Sequence, residues 1–199
     1  MLNLFRAYFV RREVLLFMYV CVDIDGTLVD MQSRLKAYLA ERGHDFITEA
    51  VTMYNFKCDC GVARDSIMEA FSDIELYKGL ELFDGVEPAL KKLRGIIEAR
   101  AYTGSFPVEG IVTERFRLCQ SLGLNGAIYA GIKKPTDMKA VALFDDCLEV
   151  MEQWIEDGSE AMLYLIDAPY NRRKHSDRIV RCRDFATAVE RFISDFECV

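Results

Sequence analysis

Hydrophobic residues follow two patterns that alternate along much of this chain. Continuous apolar runs and short mixed segments ending in turn signals predict strands, and three-and-four spacing predicts helices. The predicted strands are Val14–Val22, Glu98–Tyr102, Ala127–Ala130, Ala140–Phe144 and Ala161–Ile166. The predicted helices of the second half are 86–97, 108–122, 147–155 and 185–196. Strands that alternate with helices favour βαβ units, so we expect an α/β fold with a Rossmann-like parallel sheet flanked by helices.

A long helical insertion separates the first predicted strand from the second. Residues 30–83 carry helical spacing over 28–39, 47–54 and 62–71, and no convincing strand. We therefore expect one domain formed by residues 14–29 and 84–199, and a second, helical unit formed by residues 30–83. Residues 1–13 are expected to be a peripheral N-terminal extension, because the first strand needs only the residues from about Met18 onward.

Composition and charge narrow the class of protein. With 199 residues, 51% hydrophobic and 29% charged, the chain is an ordinary globular protein. A net charge of −7 argues against binding to a nucleic-acid polymer, which needs a basic face. No apolar run reaches the length of a membrane span, so no membrane association is predicted. Residues 1–22 mimic a signal peptide but lack a small-residue cleavage site. Seven scattered cysteines favour a reducing compartment, so we predict a cytoplasmic protein.

Two carboxylates follow the first predicted strand. Val14–Val22 runs directly into Asp23-Ile24-Asp25-Gly26-Thr27, and parallel sheets bind ligands beyond the carboxyl ends of their strands. Two neighbouring acids need a compensating cation, because burial and like charge both oppose ionisation. A divalent metal with oxygen ligands meets that need. The alternative is an Asp-rich turn in which Gly26 supplies a positive φ.

Three later segments carry candidate chemistry in the same position relative to a strand. Asp145-Asp146 ends a buried strand, and only one of two adjacent side chains can face the same place. Thr103-Gly104-Ser105 offers hydroxyls and backbone N–H groups that can hold phosphate oxygens, with Thr103 preferred over Ser105. Lys133-Lys134 lies in a loop after a strand, and a lysine there can neutralise an incoming phosphate. Each also has a plainer interpretation, as a turn or a solvated loop.

Together these motifs resemble those of the haloacid dehalogenase (HAD) superfamily of phosphohydrolases, over residues 18–196. The resemblance makes residues 30–83 a cap domain above the active site. It implies that Asp23 is the nucleophile and Asp25 the general acid/base. It further implies that Thr103 and Gly104 bind phosphate, with Lys134 favoured over Lys133 for the same task.

The resemblance also implies a Mg²⁺ cofactor. Its ligands would be Asp23, Asp25 through its backbone carbonyl, and Asp146, with Asp145 hydrogen-bonded nearby. The expected activity is Mg²⁺-dependent hydrolysis of phosphomonoesters through an aspartyl-phosphate.

The substrate class stays open among three alternatives. Asp167-Ala168-Pro169-Tyr170-Asn171-Arg172 resembles the corresponding segment of the 5′(3′)-deoxyribonucleotidase-like branch, which favours nucleoside monophosphates. Sugar phosphates or other small phosphoesters are the second alternative, and a non-catalytic phosphate-binding or interaction protein is the third. Candidate aromatic residues for stacking a nucleobase are Tyr38, Phe46, Tyr54, Phe56, Phe71 and Tyr77. The oligomeric state is not predicted.

Overall fold

A parallel sheet organises the part of the chain that the structure describes. The computed structural model describes residues 18–51, 56, 60–131, 134–173 and 175–197. Its strands are β1 (Tyr19–Val22), β2 (Glu98–Ser105), β3 (Asn125–Ala130), β4 (Ala142–Asp145), β5 (Met162–Ile166) and β6 (Ile179–Cys182). All neighbouring strands pair in parallel in the order β3-β2-β1-β4-β5-β6. This order confirms the predicted α/β, Rossmann-like fold.

Within the described ranges, six α-helices flank the sheet or form the insertion. They are α1 (Met31–Ala40), α2 (Arg64–Ala70), α3 (Val86–Arg94), α4 (Glu109–Ser121), α5 (Leu148–Glu156) and α6 (Phe185–Glu197). Short 3₁₀ turns lie at Thr48–Ala50, Ile74–Tyr77 and Pro169–Asn171. In the part of the chain that the structure describes, no helix combines the length and apolar character needed to cross a bilayer.

The first strand is buried on both faces, as its apolar run predicts. Val20 and Val22 belong to a core on one side of the sheet, which includes side chains of α3 and α6. Tyr19 and Cys21 point to the opposite core, around Trp154 of α5. Residues 14–17 of the predicted strand, and the predicted extension 1–13, lie outside the described residues.

The insertion has a hydrophobic core of its own. Leu35 and Leu39 of α1 pack in one cluster with Ile67 of α2 and Leu76 of the second 3₁₀ turn. The two chain segments that connect this unit to the sheet run side by side, since Asp30 donates its backbone N–H to the Glu81 carbonyl at 3.0 Å. These contacts support the predicted division at residues 30–83, which remains a prediction.

The structure corrects three predictions of secondary structure. The sheet has a sixth strand, Ile179–Cys182, which we missed because it is short, partly exposed and interrupted by the polar Arg181. Strand β2 does not end before Thr103 but continues to Ser105, because residues 103–105 pair in register with β3. The helix predicted over 47–54 is only a 3₁₀ turn in its described part, where β-branched residues disfavour a longer helix.

Candidate active site

The candidate residues meet where the strand order reverses. β1 and β4 are adjacent, and the backbone N–H of Asp23 donates to the Phe144 carbonyl at 2.9 Å. Asp23 therefore leaves the sheet beside Asp145 and Asp146. Ligands of doubly wound sheets bind in the crevice at this kind of reversal, beyond the carboxyl ends of the strands.

One lysine joins two of the buried carboxylates. Lys134 Nζ lies 2.9 Å from Asp23 Oδ1 and 2.6 Å from Asp145 Oδ2, and all three side chains are buried. The other Asp145 oxygen accepts the backbone N–H of Cys147 at 2.8 Å. Asp145 is thus held from two sides. Lys133, the alternative lysine, lies outside the described residues.

An aromatic pair that we did not predict from the sequence holds the loop of Lys134. The Tyr102 hydroxyl donates to the Pro135 carbonyl at 2.6 Å and accepts Nε1–H of Trp154 at 3.1 Å. Lys134 Nζ also donates to the Tyr102 carbonyl at 3.3 Å. Tyr102 looks like an ordinary core residue of a strand, so its sequence context does not reveal this role.

Asp146 is fixed by the segment that follows β5. Asn171 Nδ2 donates to the Asp146 carbonyl at 2.8 Å and to the Ile166 carbonyl at 2.7 Å. The Tyr170 hydroxyl donates to Asp146 Oδ2. Arg181 holds Asn171 in turn, at 2.6 Å from both its side-chain and its backbone oxygen. The Pro-Tyr-Asn segment, noted in the sequence for its resemblance to a nucleotidase segment, thus orients a site carboxylate.

Gly26 allows the chain to turn above this carboxylate. Its φ is +76°, which L residues with a side chain rarely adopt. A Cβ at this position would also collide with the carboxylate of Asp146 and the hydroxyl of Tyr170. Two features therefore require glycine at this position: the backbone conformation and the close approach of Asp146 and Tyr170.

The acidic cluster has the charge and the ligands of a divalent-cation site. Oxygens of Asp23, Asp145 and Asp146 lie within 4.8 Å of one another. Three ionised carboxylates facing Lys134 leave two negative charges uncompensated among them. Asp146 Oδ1 is buried and has no hydrogen-bond partner among the described residues. Burying a carboxylate oxygen without a hydrogen-bond donor is costly unless a cation takes the place of the donor. These residues therefore fit a magnesium ion.

Burial raises the pKa of both cluster acids that face this space. The pKa of Asp23 rises to about 7, because desolvation and the Asp145 and Asp25 charges outweigh the opposing effect of Lys134. Desolvation, with the charges of Asp145 and Asp23, raises the pKa of Asp146 well above its usual range. Without a cation, these two carboxyl groups therefore keep their protons in the folded protein at pH values where the unfolded chain has already released them.

We expect this proton uptake to give the metal-free protein a stability that falls as pH rises. Between the unfolded carboxyl pKa of about 4 and the folded Asp23 pKa of about 7, the native state binds more protons than the unfolded state, so its stability decreases by up to about 1.4 kcal/mol per pH unit for this group. The raised pKa of Asp146 acts in the same direction. Thermal unfolding in EDTA from pH 5 to pH 8 measures the slope. Adding Mg²⁺ at pH 8 should restore the loss.

Asp146→Asn is the control for this prediction. The variant should show a smaller pH slope and a weaker Mg²⁺ response than the wild type. A slope that stays the same in Asp146→Asn would assign the effect to the general acidity of the chain instead.

The predicted general acid/base makes an ion pair that we did not predict. Arg115 Nη1 donates to Asp25 Oδ1 at 2.6 Å, and Nη2 pairs with Asp25 Oδ2. Burial opposes the charge of Arg115, but the Asp25 carboxylate more than offsets it and raises the arginine pKa. Within helix α4, Arg115 carries no motif signal, and a buried arginine is unusual enough that the sequence alone suggests a surface position.

Thr103, Gly104 and Ser105 border a cavity of about 170 Å³ above the acidic cluster. The Thr103 hydroxyl lies 3.3 Å from the Gly104 carbonyl, and the Ser105 hydroxyl lies 3.1 Å from the Phe106 carbonyl. Both hydroxyls are buried. The same cavity is bordered by Asp23, Asp25, Lys134 and Asp146, so the structure brings the sequence candidates that it describes into one place.

The insertion contributes an aromatic wall to this cavity. Of the candidate aromatic residues, Phe56, Phe71 and Tyr77 border it, while Tyr38 and Phe46 are buried in the core of the insertion. Tyr54 lies outside the described residues. Phe106, which we did not predict, adds a ring from the sheet side, with its centroid 6.2 Å from that of Phe71.

Comparison with known proteins identifies the fold. No family model and no curated sequence matches the chain. Solved structures do match, including a protein named as a phosphoglycolate phosphatase from Lactobacillus plantarum, at 15% identity and a TM-score of 0.54, covering 87% of this chain and 98% of the other. The HAD-hydrolase YfnB from Bacillus subtilis, bound to magnesium, matches at 10% identity and a TM-score of 0.53, covering 89% and 98%.

A third match is a protein named as a β-phosphoglucomutase from Bacteroides vulgatus, at 11% identity and a TM-score of 0.52, covering 91% of this chain and 89% of the other. The chain therefore has the fold of the HAD-like hydrolases. The resemblance stated from the motifs is confirmed at the level of the fold.

Proposed function

We propose that this protein is a Mg²⁺-dependent phosphomonoester hydrolase that acts through an aspartyl-phosphate on Asp23. The observation that carries the proposal is the buried cluster in which Lys134 bridges Asp23 and Asp145 beside the partnerless oxygen of Asp146. A nucleophilic carboxylate and an anionic phosphate repel each other, so positive charge is needed beside both groups. A lysine and a divalent cation supply it.

In this mechanism an oxygen of Asp23 attacks phosphorus, and the bond from phosphorus to the leaving oxygen breaks. Asp25 gives a proton to the leaving alcohol and afterwards takes one from the water that hydrolyses the aspartyl-phosphate. Lys134 offsets negative charge at Asp23 and the phosphate. Thr103 and the backbone N–H groups near Gly104 hold the remaining phosphate oxygens.

The magnesium ligands in this proposal are Asp23, Asp146 and the backbone carbonyl of Asp25. When bound, the ion withdraws charge from the phosphate oxygens and lowers the repulsion between phosphate and carboxylate. Asp145 pairs with Lys134 and the Cys147 amide instead, which fits a supporting role beside the ligands.

Nucleoside monophosphates are the substrates that the cavity wall favours. Phe56, Phe71 and Phe106 place aromatic rings around the space where a leaving group would lie. Stacking on such rings is worth about 1–3 kcal/mol per nucleobase.

Small phosphoesters are the second candidate. The cavity volume of about 170 Å³ is modest for a ligand site. Two matched structures also carry names that refer to small phosphorylated compounds, a phosphoglycolate and a phosphoglucose. The third candidate, a non-catalytic phosphate-binding protein, explains the fold but not why Asp25 is kept beside the nucleophile with an arginine of its own.

A phosphate-release screen tests the proposal and separates the candidates. Nucleoside 5′- and 3′-monophosphates, sugar phosphates and 2-phosphoglycolate are compared with and without Mg²⁺. We expect Mg²⁺-dependent release, highest with a nucleotide. Release from none of them would contradict the enzymatic function, and highest activity on a small phosphoester would contradict the nucleotide preference.

Phe71→Leu tests the aromatic wall directly. Because part of the stacking energy is lost, we expect KM for a nucleotide to rise about tenfold with little change in kcat, and no change for a small phosphoester. Phe116→Leu is the matched control, since Phe116 is 56% exposed and does not border the cavity. An equal effect of Phe71→Leu on both kinds of substrate would place the leaving group elsewhere.

A further inference from the structure

The ion pair between Arg115 and Asp25 is built unlike a surface salt bridge. The Arg115 side chain is only 2% exposed, whereas that of Asp25 is 28% exposed. Both terminal nitrogens of the guanidinium engage the two carboxylate oxygens, one to each. A bidentate contact of this kind fixes the plane and the rotamer of a carboxylate, which a single hydrogen bond does not.

Helix α4 carries Arg115 to the place where the insertion meets the sheet domain. Gly110, one turn earlier, lies so close to Ile74 that an added Cβ would stand 2.7 Å from Ile74 Cδ1. Ile111 is buried in the hydrophobic core of the insertion. The Tyr77 ring covers the guanidinium, with its centroid 4.9 Å from the central carbon of Arg115. A residue of the insertion therefore covers Arg115 while Arg115 holds a residue of the sheet domain.

The pair leaves Asp25 able to work. A carboxylate has about four acceptor positions, and the bidentate arginine occupies two of them. The other two face the cavity that both residues border, where one can accept a proton from water and, once protonated, can donate it to a leaving oxygen. A partly exposed carboxylate without such a clamp would sample several rotamers, and a displacement of about 1 Å can reduce a reaction rate by about 100-fold.

We propose that Arg115 is a positioning residue that holds Asp25 in line with the leaving oxygen, and that the 3₁₀ turn Ile74–Tyr77 of the insertion keeps the guanidinium of Arg115 shielded from water. The inference rests on the proposed phosphatase function and adds a residue to it. Asp25 lies in the sheet domain and Tyr77 in the insertion. The alignment of the general acid/base therefore depends on the position of the insertion relative to the sheet domain.

Two probe substrates with different leaving groups test this role. In p-nitrophenyl phosphate the leaving phenolate needs little help from an acid, whereas in benzyl phosphate the leaving alcohol must be protonated. For Arg115→Met we expect kcat on benzyl phosphate to fall about 100-fold, kcat on p-nitrophenyl phosphate to fall less than about fivefold, and KM to stay within about twofold. Arg115→Lys, which keeps a buried cation, should recover part of the loss.

A double variant separates an indirect role from a direct one. If Arg115 acts only through Asp25, adding Arg115→Met to Asp25→Asn should change kcat by less than about twofold. Arg115 Nε is buried and has no partner among the described residues, so a direct contact with substrate is the competing role. That role predicts a rise in KM and additive losses, and either result would overturn the proposal.

Arg117→Met is the matched control. Arg117 lies on the same helix but is 67% exposed, pairs with Glu114 and does not border the cavity. We expect it to leave the ratio of the two probe activities unchanged. The same selective loss in Arg117→Met, or an equal loss on both probes in Arg115→Met, would overturn the proposal. A wild-type protein that hydrolyses neither probe nor any phosphoester would overturn the phosphatase function and this inference together.

Discussion

Asp23→Asn is expected to abolish phosphate release while the protein still folds. The amide keeps the shape of the side chain and can still accept a hydrogen bond from Lys134, but it cannot attack phosphorus. We expect kcat to fall by at least about 10⁴-fold, the order of loss seen when a covalent nucleophile is removed. The measurement is phosphate release at saturating substrate and Mg²⁺, with circular dichroism to verify the fold.

Trapping of the covalent phosphate provides the control for this variant. Wild-type protein and Asp25→Asn, quenched during turnover of p-nitrophenyl phosphate, should carry phosphate on an acyl linkage that hydroxylamine cleaves. Asp23→Asn should carry none. Labelled phosphate on Asp23→Asn, or turnover near the wild-type rate, would show that another group attacks phosphorus.

Lys134→Met is expected to damage both activity and stability. Removing one partner of a buried ion pair leaves charge uncompensated and typically costs about 3–5 kcal/mol. Here the Asp23 and Asp145 carboxylates both lose their cation, and both are nearly inaccessible to water. We expect the free energy of unfolding in EDTA to fall by about 3 kcal/mol and kcat to fall by about 10³-fold.

Mg²⁺ should restore part of this stability, since it binds the same carboxylates, but should not restore activity. Lys139→Met is the matched control, because Lys139 is an exposed lysine on the same loop and should change the unfolding free energy by less than about 0.5 kcal/mol. Lys133→Met tests the alternative lysine. A larger loss of kcat there than in Lys134→Met would overturn the assignment.

The strands and their acidic ends could be predicted because both signals are local. The run before Asp23 is apolar at every position, as a strand buried on two faces requires, and both faces are indeed covered. Asp145 and Asp146 follow β4 in the same way. Once both strands are assigned to one parallel sheet, their carboxyl ends must lie at the same edge.

Two of the elements that we mispredicted depend on pairing with a neighbouring strand. Thr103 lies within β2 because residues 103–105 pair with β3, and no property of residues 103–105 themselves indicates that pairing. The strand Ile179–Cys182 gains its order from pairing with β5 at the edge of the sheet. It is only four residues long and includes the polar Arg181, so its own sequence does not distinguish it from a loop.

The sequence by itself determined the class of fold, the order of the motifs and the carboxylates that meet at the sheet edge, because hydrophobic periodicity and strand-end chemistry depend on adjacent residues. Only the tertiary structure decided which cation faces which acid. Lys134 reaches Asp23 across 111 positions and Arg115 reaches Asp25 across 90. Such contacts are set by how helices and loops pack over the sheet, and they depend on distances that no local pattern contains.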